Sequence, residues 1–286
     1  AFRWDRELLI GLHDRILAGN LGAGAGRFRT GPAYVVDNRT GELVFQPPPP
    51  DDVPGLVDDA CSIIQSGLEH PAIGAAWIHA AVVAVHPFKD GNGRASRIVA
   101  SLAMYRGGFK LPEFTSLEEW WGRHLSDYYA SFRCLGETFD PNADVTPFIR
   151  AHMEAQLHQV RALDLRERVQ QRVWIAVEEA VSAAGLEPRV ANAVWDVFFG
   201  RRLTPRYYRP LTDVSPATAT NDLARAVAAG LLRPEGRARS RSYHAGESLY
   251  PRIGAALGVR VDEPGDPARA IIIGELTKRV ASERAK

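Results

Sequence analysis

The sequence predicts a mainly α-helical chain with one β-hairpin near its start and a second, smaller helical module with its own hairpin near its end. Three observations carry this. Apolar residues recur at helical spacing over most of the chain. The run AIGAAWIHAAVVAV (72–85) is apolar almost all round, as a buried central helix is. Composition shifts after Gly185, where arginine accumulates. With 286 residues, 45% of them hydrophobic, there is room for one large domain and one small one, each with a core. The expected division is a core over 1–150 with its hairpin at 33–45, a helical linker over 151–186, a module over 187–250 and a helical tail over 251–286.

Residues 2–18 place Trp4, Leu8, Leu9, Leu12, Ile16 and Leu17 on one helical face, and GNLGAGAG (19–26) ends that helix. AYVV (33–36) and ELVF (42–45) flank DNRTG and read as a hairpin. QPPPPDDVP (46–54) excludes a helix interior or central strand, and Asp51 or Asp52 can cap a helix running to about Gly67. Pro71 suits the first turn of the apolar helix. Helical patterns resume over 92–106 and 116–136, and over 146–183 as one helix or two.

Residues 187–250 hold ten arginines against six acids, an excess of +4. Their order is a helix (VANAVWDVFFG), the turn LTPRYYRPL, a helix (SPATATNDLARAVAAGLL) and a basic hairpin, which is the layout of a winged helix. Thr218 and Thr220 on its second helix, with Arg237, Arg239 and Arg241 in the wing, are candidate DNA contacts; protein docking is an equal alternative. The whole chain carries only +1, from 35 basic and 34 acidic residues, which excludes nucleic-acid coating along its full length. Cys61 and Cys134 lie far apart among apolar neighbours and read as buried free thiols. No apolar run reaches the about 18 residues a spanning helix needs, and no signal-peptide pattern opens the sequence. A cytoplasmic protein with no membrane partner is expected. The chain begins at Ala1 rather than Met, which leaves room for residues upstream.

The chemistry concentrates in HPFKDGNGRASR (86–97). His86 ends the apolar helix and is placed to take a proton near neutral pH; alone, it would equally be a histidine satisfied by a carbonyl. His79, seven residues earlier inside the apolar run, reads as structural. Asp90 is either a helix cap or a Mg²⁺ ligand beside phosphate. Gly91, Asn92 and Gly93 let successive N–H groups point outward at a helix start, an anion nest. Arg94 and Arg97 put two cations at the positive end of that helix, a conflict that an anion relieves. Together these residues suit phosphoryl or nucleotidyl transfer. No Walker A pattern is present, and GAGAG (22–26) sits in the wrong context for a dinucleotide fold.

HPFKDGNGRASR resembles the Fic signature H-x-F-x-[DE]-G-N-[GK]-R-x-x-R at every defined position. AGRFRTGPAYVV, ELVFQPPPP, WIHAAVVAVHPF and SDYYASF resemble the stretches around that signature, and the likeness spans about residues 2–245. A C-terminal winged helix is common in one bacterial branch. The resemblance implies a Fic-type helical core whose hairpin is a target-aligning flap, with Tyr34, Val35 and Val36 against the target chain. It implies transfer of AMP from ATP to a Ser, Thr or Tyr hydroxyl of a target protein, and of the chain itself. In this reading His86 is the general base and Asp90 holds Mg²⁺. Gly91, Asn92 and Gly93 cradle phosphates, Arg94 and Arg97 neutralise them, and Phe88 anchors the loop. Lys89 occupies the variable position beside ATP with no required role, and Tyr128 and Tyr129 line the adenine pocket. A homodimer is allowed. Many members carry an inhibitory [ST]-x-x-x-E-[GN] helix whose glutamate pairs with the second arginine. Thr115 to Glu119 has the spacing, but Trp120 follows, so restraint in cis by such a glutamate is not expected. Alternatives are another nucleotide donor, removal of AMP, or a DNA-binding regulator with a nucleotide-sensing core.

Overall fold

A computed structural model describes residues 2–284 except 19, 38, 69, 112–115, 238, 239 and 262. The chain forms two compact units, residues 1–162 and 163–286, and the division falls inside one long helix.

The first unit begins with α1, Arg6–Ile16. It is shorter than the apolar spacing over 2–18 predicts, because the Asp5 carboxylate accepts from the Leu8 N–H at 2.9 Å and starts the helix there. β1, Val35–Val36, pairs antiparallel with β2, Leu43–Phe45, with an irregular register. The hairpin is narrower than the predicted 33–45, and Tyr34 lies outside its strands. Asp37 closes the turn: its N–H donates to Glu42 O, and its carboxylate accepts from the Arg39 N–H. A 3₁₀ turn, Pro50–Asp52, leads into α2, Val53–Ser66. Neither Asp51 nor Asp52 makes a side-chain cap bond; Pro50 and Pro54 set the backbone for these starts instead.

α3, Pro71–Val85, is the buried centre, with Ala75, Ala76 and Ile78 fully enclosed. Its partner is α4, Asn92–Arg106, which contributes Val99, Ala103 and Met104 to the same core as Leu9, Val57 and Phe88. At the far end of this pair a Cβ on Gly107 would lie 2.2 Å from Pro71 Cβ, so only glycine lets the chain pass there. The helix predicted over 116–136 is two helices and a 3₁₀ turn: α5, Glu118–Arg123, α6, Leu125–Ser131, and Phe132–Leu135. The break falls at His124, whose Nδ1 lies 2.8 Å from Trp120 O and supplies a side-chain partner at the end of α5. α7, Thr146–Ala183, is one continuous helix.

The second unit holds the rest of α7 with α8, Val190–Phe198, α9, Pro205–Thr212, and α10, Pro216–Ala228. LTPRYYRPL is therefore a helix rather than a turn. The Thr204 side chain caps it and Pro205 sits in its first turn, which outweighs Pro210 inside it. β3, Leu232–Glu235, pairs antiparallel with β4, Ser242–Ala245, and Leu203 bridges Tyr243. α11, Leu249–Ala256, and α12, Asp266–Arg284, complete the chain. Phe198, Leu203, Tyr208, Leu223 and Ile272 form the centre of this core. Within it Asp222, 2% exposed, accepts from Arg189 Nε and Nη2 at 2.7 and 3.0 Å and from the Tyr208 hydroxyl at 3.1 Å. Among the described residues no helix is long and apolar enough to cross a membrane.

Candidate active site

The site is the turn between α3 and α4. His86 is the C-cap of α3 with φ 49° and ψ 57°, a left-handed conformation rare for a residue with a side chain. That geometry turns the chain sharply out of the helix. Its Nδ1 lies 3.4 Å from Val83 O. A carbonyl can only accept, so Nδ1 carries the proton and Nε2 keeps a free lone pair. Burial lowers the imidazole pKa below its usual value; the Arg29 charge adds to this and the Val83 carbonyl opposes it. The group is thus an unprotonated base at neutral pH.

Asn92 closes the turn. Its Oδ1 accepts from the Phe88 N–H and its Nδ2 donates to Phe88 O, both at 2.8 Å. The asparagine named among the phosphate-cradling residues therefore directs its side chain inward, 3% exposed, and only its backbone is left for an anion. Phe88 is fully buried and stacks on His13, with ring centroids 3.7 Å apart. Gly91 is the α4 N-cap at φ 80°, and a Cβ there would stand 3.3 Å from His13 Nε2. No side chain caps α4. Its first-turn N–H groups, at Asn92, Gly93 and Arg94, have no intrahelical acceptor. Free N–H groups at the positive end of a helix are suited to receive an anion.

Asp90 accepts from the Gly91 N–H at 2.6 Å and lies 3.4 Å from Arg94 Nη2; its side chain and that of Arg94 are exposed. Among the described residues no group of three or more His, Cys, Asp or Glu is placed to hold a metal. One exposed carboxylate beside a phosphate site still fits Mg²⁺, which takes few protein ligands and completes its shell with phosphate and water. Lys89 is exposed and donates to Gly22 O at 3.2 Å.

Arg97 has a carboxylate partner. Its Nε donates to Glu118 Oε1 at 2.5 Å, and its guanidinium lies 5.9 Å from the Tyr128 ring centre. Burial works against its charge, but Glu118 and Tyr128 outweigh this and raise its pKa. Glu118 lies outside the sought [ST]-x-x-x-E-[GN] pattern, since Phe114 stands four residues before it and Glu119 after it. Thr115 lies outside the described residues. The expectation of no glutamate restraint on Arg97 thus meets a glutamate of a different position.

Tyr128 is 5% exposed among Trp121, Tyr129 and Phe132, and its hydroxyl lies 3.1 Å from His79 Nε2. It is a core residue supporting Arg97 rather than an open pocket wall, whereas Tyr129 is 68% exposed. His79 is buried, as read, and burial holds it well below the usual histidine pKa. In the hairpin Tyr34 and Val36 are exposed, and Val35 packs toward Phe45 and Leu135. In the second unit the Thr218 hydroxyl meets Ser215 Oγ and that of Thr220 donates to Pro216 O. Arg237 and Arg241 are exposed; Arg239 lies outside the described residues.

Two residues central to this geometry escaped the sequence reading. His13, fully buried, accepts from the Gly26 N–H through Nδ1, so its Nε2 donates to Asp90 O at 2.8 Å. Arg29, 7% exposed, donates to His86 O at 2.8 Å. His13 had a detectable signal, one polar residue four positions after Leu9 on an apolar stripe. Arg29, a lone arginine in a loop, had none.

Residues 3–104 match the Fic/DOC family. A protein adenylyltransferase of Caenorhabditis elegans is 30% identical over 53% of this chain and 27% of its own length. One of Culex quinquefasciatus is 31% identical over 50% of this chain and 25% of its own. The chain thus spans about a quarter of the curated relatives it matches. A Fic family protein of known structure from Desulfovibrio desulfuricans G20 shares the fold at a TM-score of 0.52, with 24% identity over 84% of this chain and 68% of that one.

Proposed function

We propose that this chain, whose residues 3–104 match the Fic/DOC family, is a protein adenylyltransferase, moving AMP from ATP to a hydroxyl side chain of a target protein. The observation that carries this is an imidazole with Nε2 free, on the same turn as an uncapped helix N-terminus flanked by Arg94 and Arg97. The target hydroxyl gives its proton to His86 Nε2 as its oxygen bonds to the α-phosphorus. The bond from that phosphorus to the bridging oxygen breaks, and pyrophosphate leaves. The α4 N–H groups and the two arginines hold phosphate oxygens. Asp90 would hold Mg²⁺, whose charge offsets that of the phosphates. Val36 on the hairpin and Tyr34 just before it are exposed and offer an edge for a target strand. Two free thiols, Cys61 buried and Cys134 half-buried, support a reducing cytoplasmic setting. Incubating the chain with α-labelled Mg-ATP and a bacterial lysate, then mapping modified hydroxyls by mass spectrometry, tests the reading. An absence of label on any protein, this one included, would overturn it.

Because the His86 pKa is lowered, transfer should survive into mildly acidic solution. The active form is the unprotonated one, so rate is lost only as pH falls through that lowered pKa. The half-maximal point on the acid limb of kcat/KM is therefore expected below pH 6.5, the ordinary value. A limb centred above it would assign the limb to another group.

Glu118 sets a negative charge where phosphate is to bind. Glu118→Gln keeps an oxygen for Arg97 Nε and removes the charge. The Kd for Mg-ATP, read by calorimetry, should fall by about tenfold, the scale of one charge at several ångströms in a half-exposed site. An unchanged or weaker Kd would show that Glu118 does not oppose the nucleotide.

A separate reading, a duplex-DNA contact by the second unit, rests on the exposed Arg237 and Arg241 of its hairpin turn. A band shift of labelled duplex that weakens with salt is its signature.

A further inference from the structure

Arg29 is buried with no acid beside it. Among the described residues no carboxylate pairs with it, and its side-chain donors go to main-chain carbonyls. Nε donates to His86 O at 2.8 Å and Nη1 to Gly31 O at 3.1 Å. Nη2 donates to Pro48 O at 2.6 Å and to Val85 O at 3.4 Å. Its own N–H donates to Pro87 O at 2.9 Å, and the neighbouring Phe28 bridges Phe88. Burying a cation without a counter-ion costs several kcal/mol unless its hydrogen-bonding capacity is filled. Here part of the compensation is the negative end of α3, since Val85 and His86 supply carbonyls at its C-terminus. The same bonds fall on a residue held at φ 49°.

We propose that Arg29 is the positioning residue for His86: it pins the left-handed turn that carries the imidazole and sets a fixed cation against it. The proposal rests on the assignment of His86 as general base. It explains why an arginine, rather than an apolar side chain, fills this space. A hydrocarbon of equal volume would leave the carbonyls of Val85 and His86 unpaired and the turn free to relax. The charged and titratable groups around the turn are few. Lys89, Asp90 and Arg94 are exposed on the loop and the start of α4, and Arg97 is held by Glu118. His13 has both ring nitrogens engaged. Arg29 is the charged group that acts on the His86 imidazole, in the same direction as burial.

The test uses the full chain with ¹⁵N-labelled histidine, titrated by NMR, with the His86 resonance assigned by its loss in His86→Asn. Arg29→Met should move the His86 midpoint to higher pH, while Arg29→Lys, which keeps the charge, should leave it near wild type. Arg29→Lys loses the fork of hydrogen bonds, so its kcat for AMP transfer should fall roughly tenfold or more, with KM for ATP unchanged. A midpoint unmoved in Arg29→Met, or moved equally in both variants, overturns the electrostatic half. A kcat for Arg29→Lys within twofold of wild type overturns the positioning half. If Arg29→Met fails to fold, Arg29→Gln, which removes the charge but keeps donors for the carbonyls, takes its place in the titration, with the same upward shift expected and an unmoved midpoint overturning the electrostatic half. A wild-type chain that transfers no AMP sinks the adenylyltransferase reading alone, because the titration still judges Arg29.

Discussion

His86→Ala is expected to cut AMP transfer by about 10²–10⁴-fold, the usual weight of a general base, while the Kd for Mg-ATP stays within about twofold. The asymmetry follows from geometry. The groups proposed to bind phosphate are the α4 N–H groups, Arg94 and Arg97, and none of them hydrogen-bonds the imidazole ring. One confounder lies in the backbone. At φ 49° alanine strains the turn by about 1–2 kcal/mol, so part of a loss in His86→Ala would be conformational. Asparagine tolerates the left-handed region and cannot take up a proton near neutral pH. His86→Asn should therefore lose transfer as fully as His86→Ala while melting closer to wild type. Retention of more than about a tenth of wild-type transfer in His86→Asn would mean that the hydroxyl gives its proton elsewhere.

The site was legible in sequence to the extent that its chemistry is local. Within 86–97 the proposed parts lie close together in the chain, so residue types and spacing suffice to suggest them: a base, a carboxylate, glycines at a helix start and two cations. The supports are not local. Arg29 reaches His86 across 57 residues and His13 reaches Asp90 across 77. Each is one polar residue whose partner is a main-chain carbonyl, and a carbonyl has no letter in the sequence. Glu118 shows a related limit. It was sought through a pattern of neighbours, but what places it on Arg97 is the start of α5 packed through Leu117 and Trp121. Tyr128 and Tyr129 show a further limit, since one of the two was as readily a core aromatic and the sequence did not say which. Two adjacent tyrosines on a helix look alike in sequence, yet about 100° of helical rotation puts one on His79 and the other in solvent. The helices themselves were predicted where apolar periodicity was strong. Their bounds differed where a side chain intervened, as at Asp5, which starts α1, and His124, which ends α5.

Asn92→Ala should disable the site by a different route from His86→Ala. Asn92 forms a closed pair of hydrogen bonds with one residue, accepting from the Phe88 N–H and donating to Phe88 O. Removing the amide leaves both groups buried without a partner, since Phe88 is fully enclosed. At about 1–3 kcal/mol for each such group, the cost is roughly 2–5 kcal/mol after partial relaxation. In a unit of this size that corresponds to a fall in Tm of about 5–15 °C. The turn relaxes at the same time, so the His86 imidazole and the α4 N–H groups lose their common geometry and transfer should drop by about 10²-fold. Unlike His86→Ala, this variant should also bind Mg-ATP more weakly. Asn92→Asp separates the two bonds. It keeps an acceptor for the Phe88 N–H but turns an oxygen toward Phe88 O, so it should be no more stable than alanine despite its matching shape. Scanning calorimetry and nucleotide titration on the two variants decide the matter. An Asn92→Ala protein that melts within about 1 °C of wild type and binds Mg-ATP normally would show that the turn is held by Phe88, His13 and Arg29 without the amide.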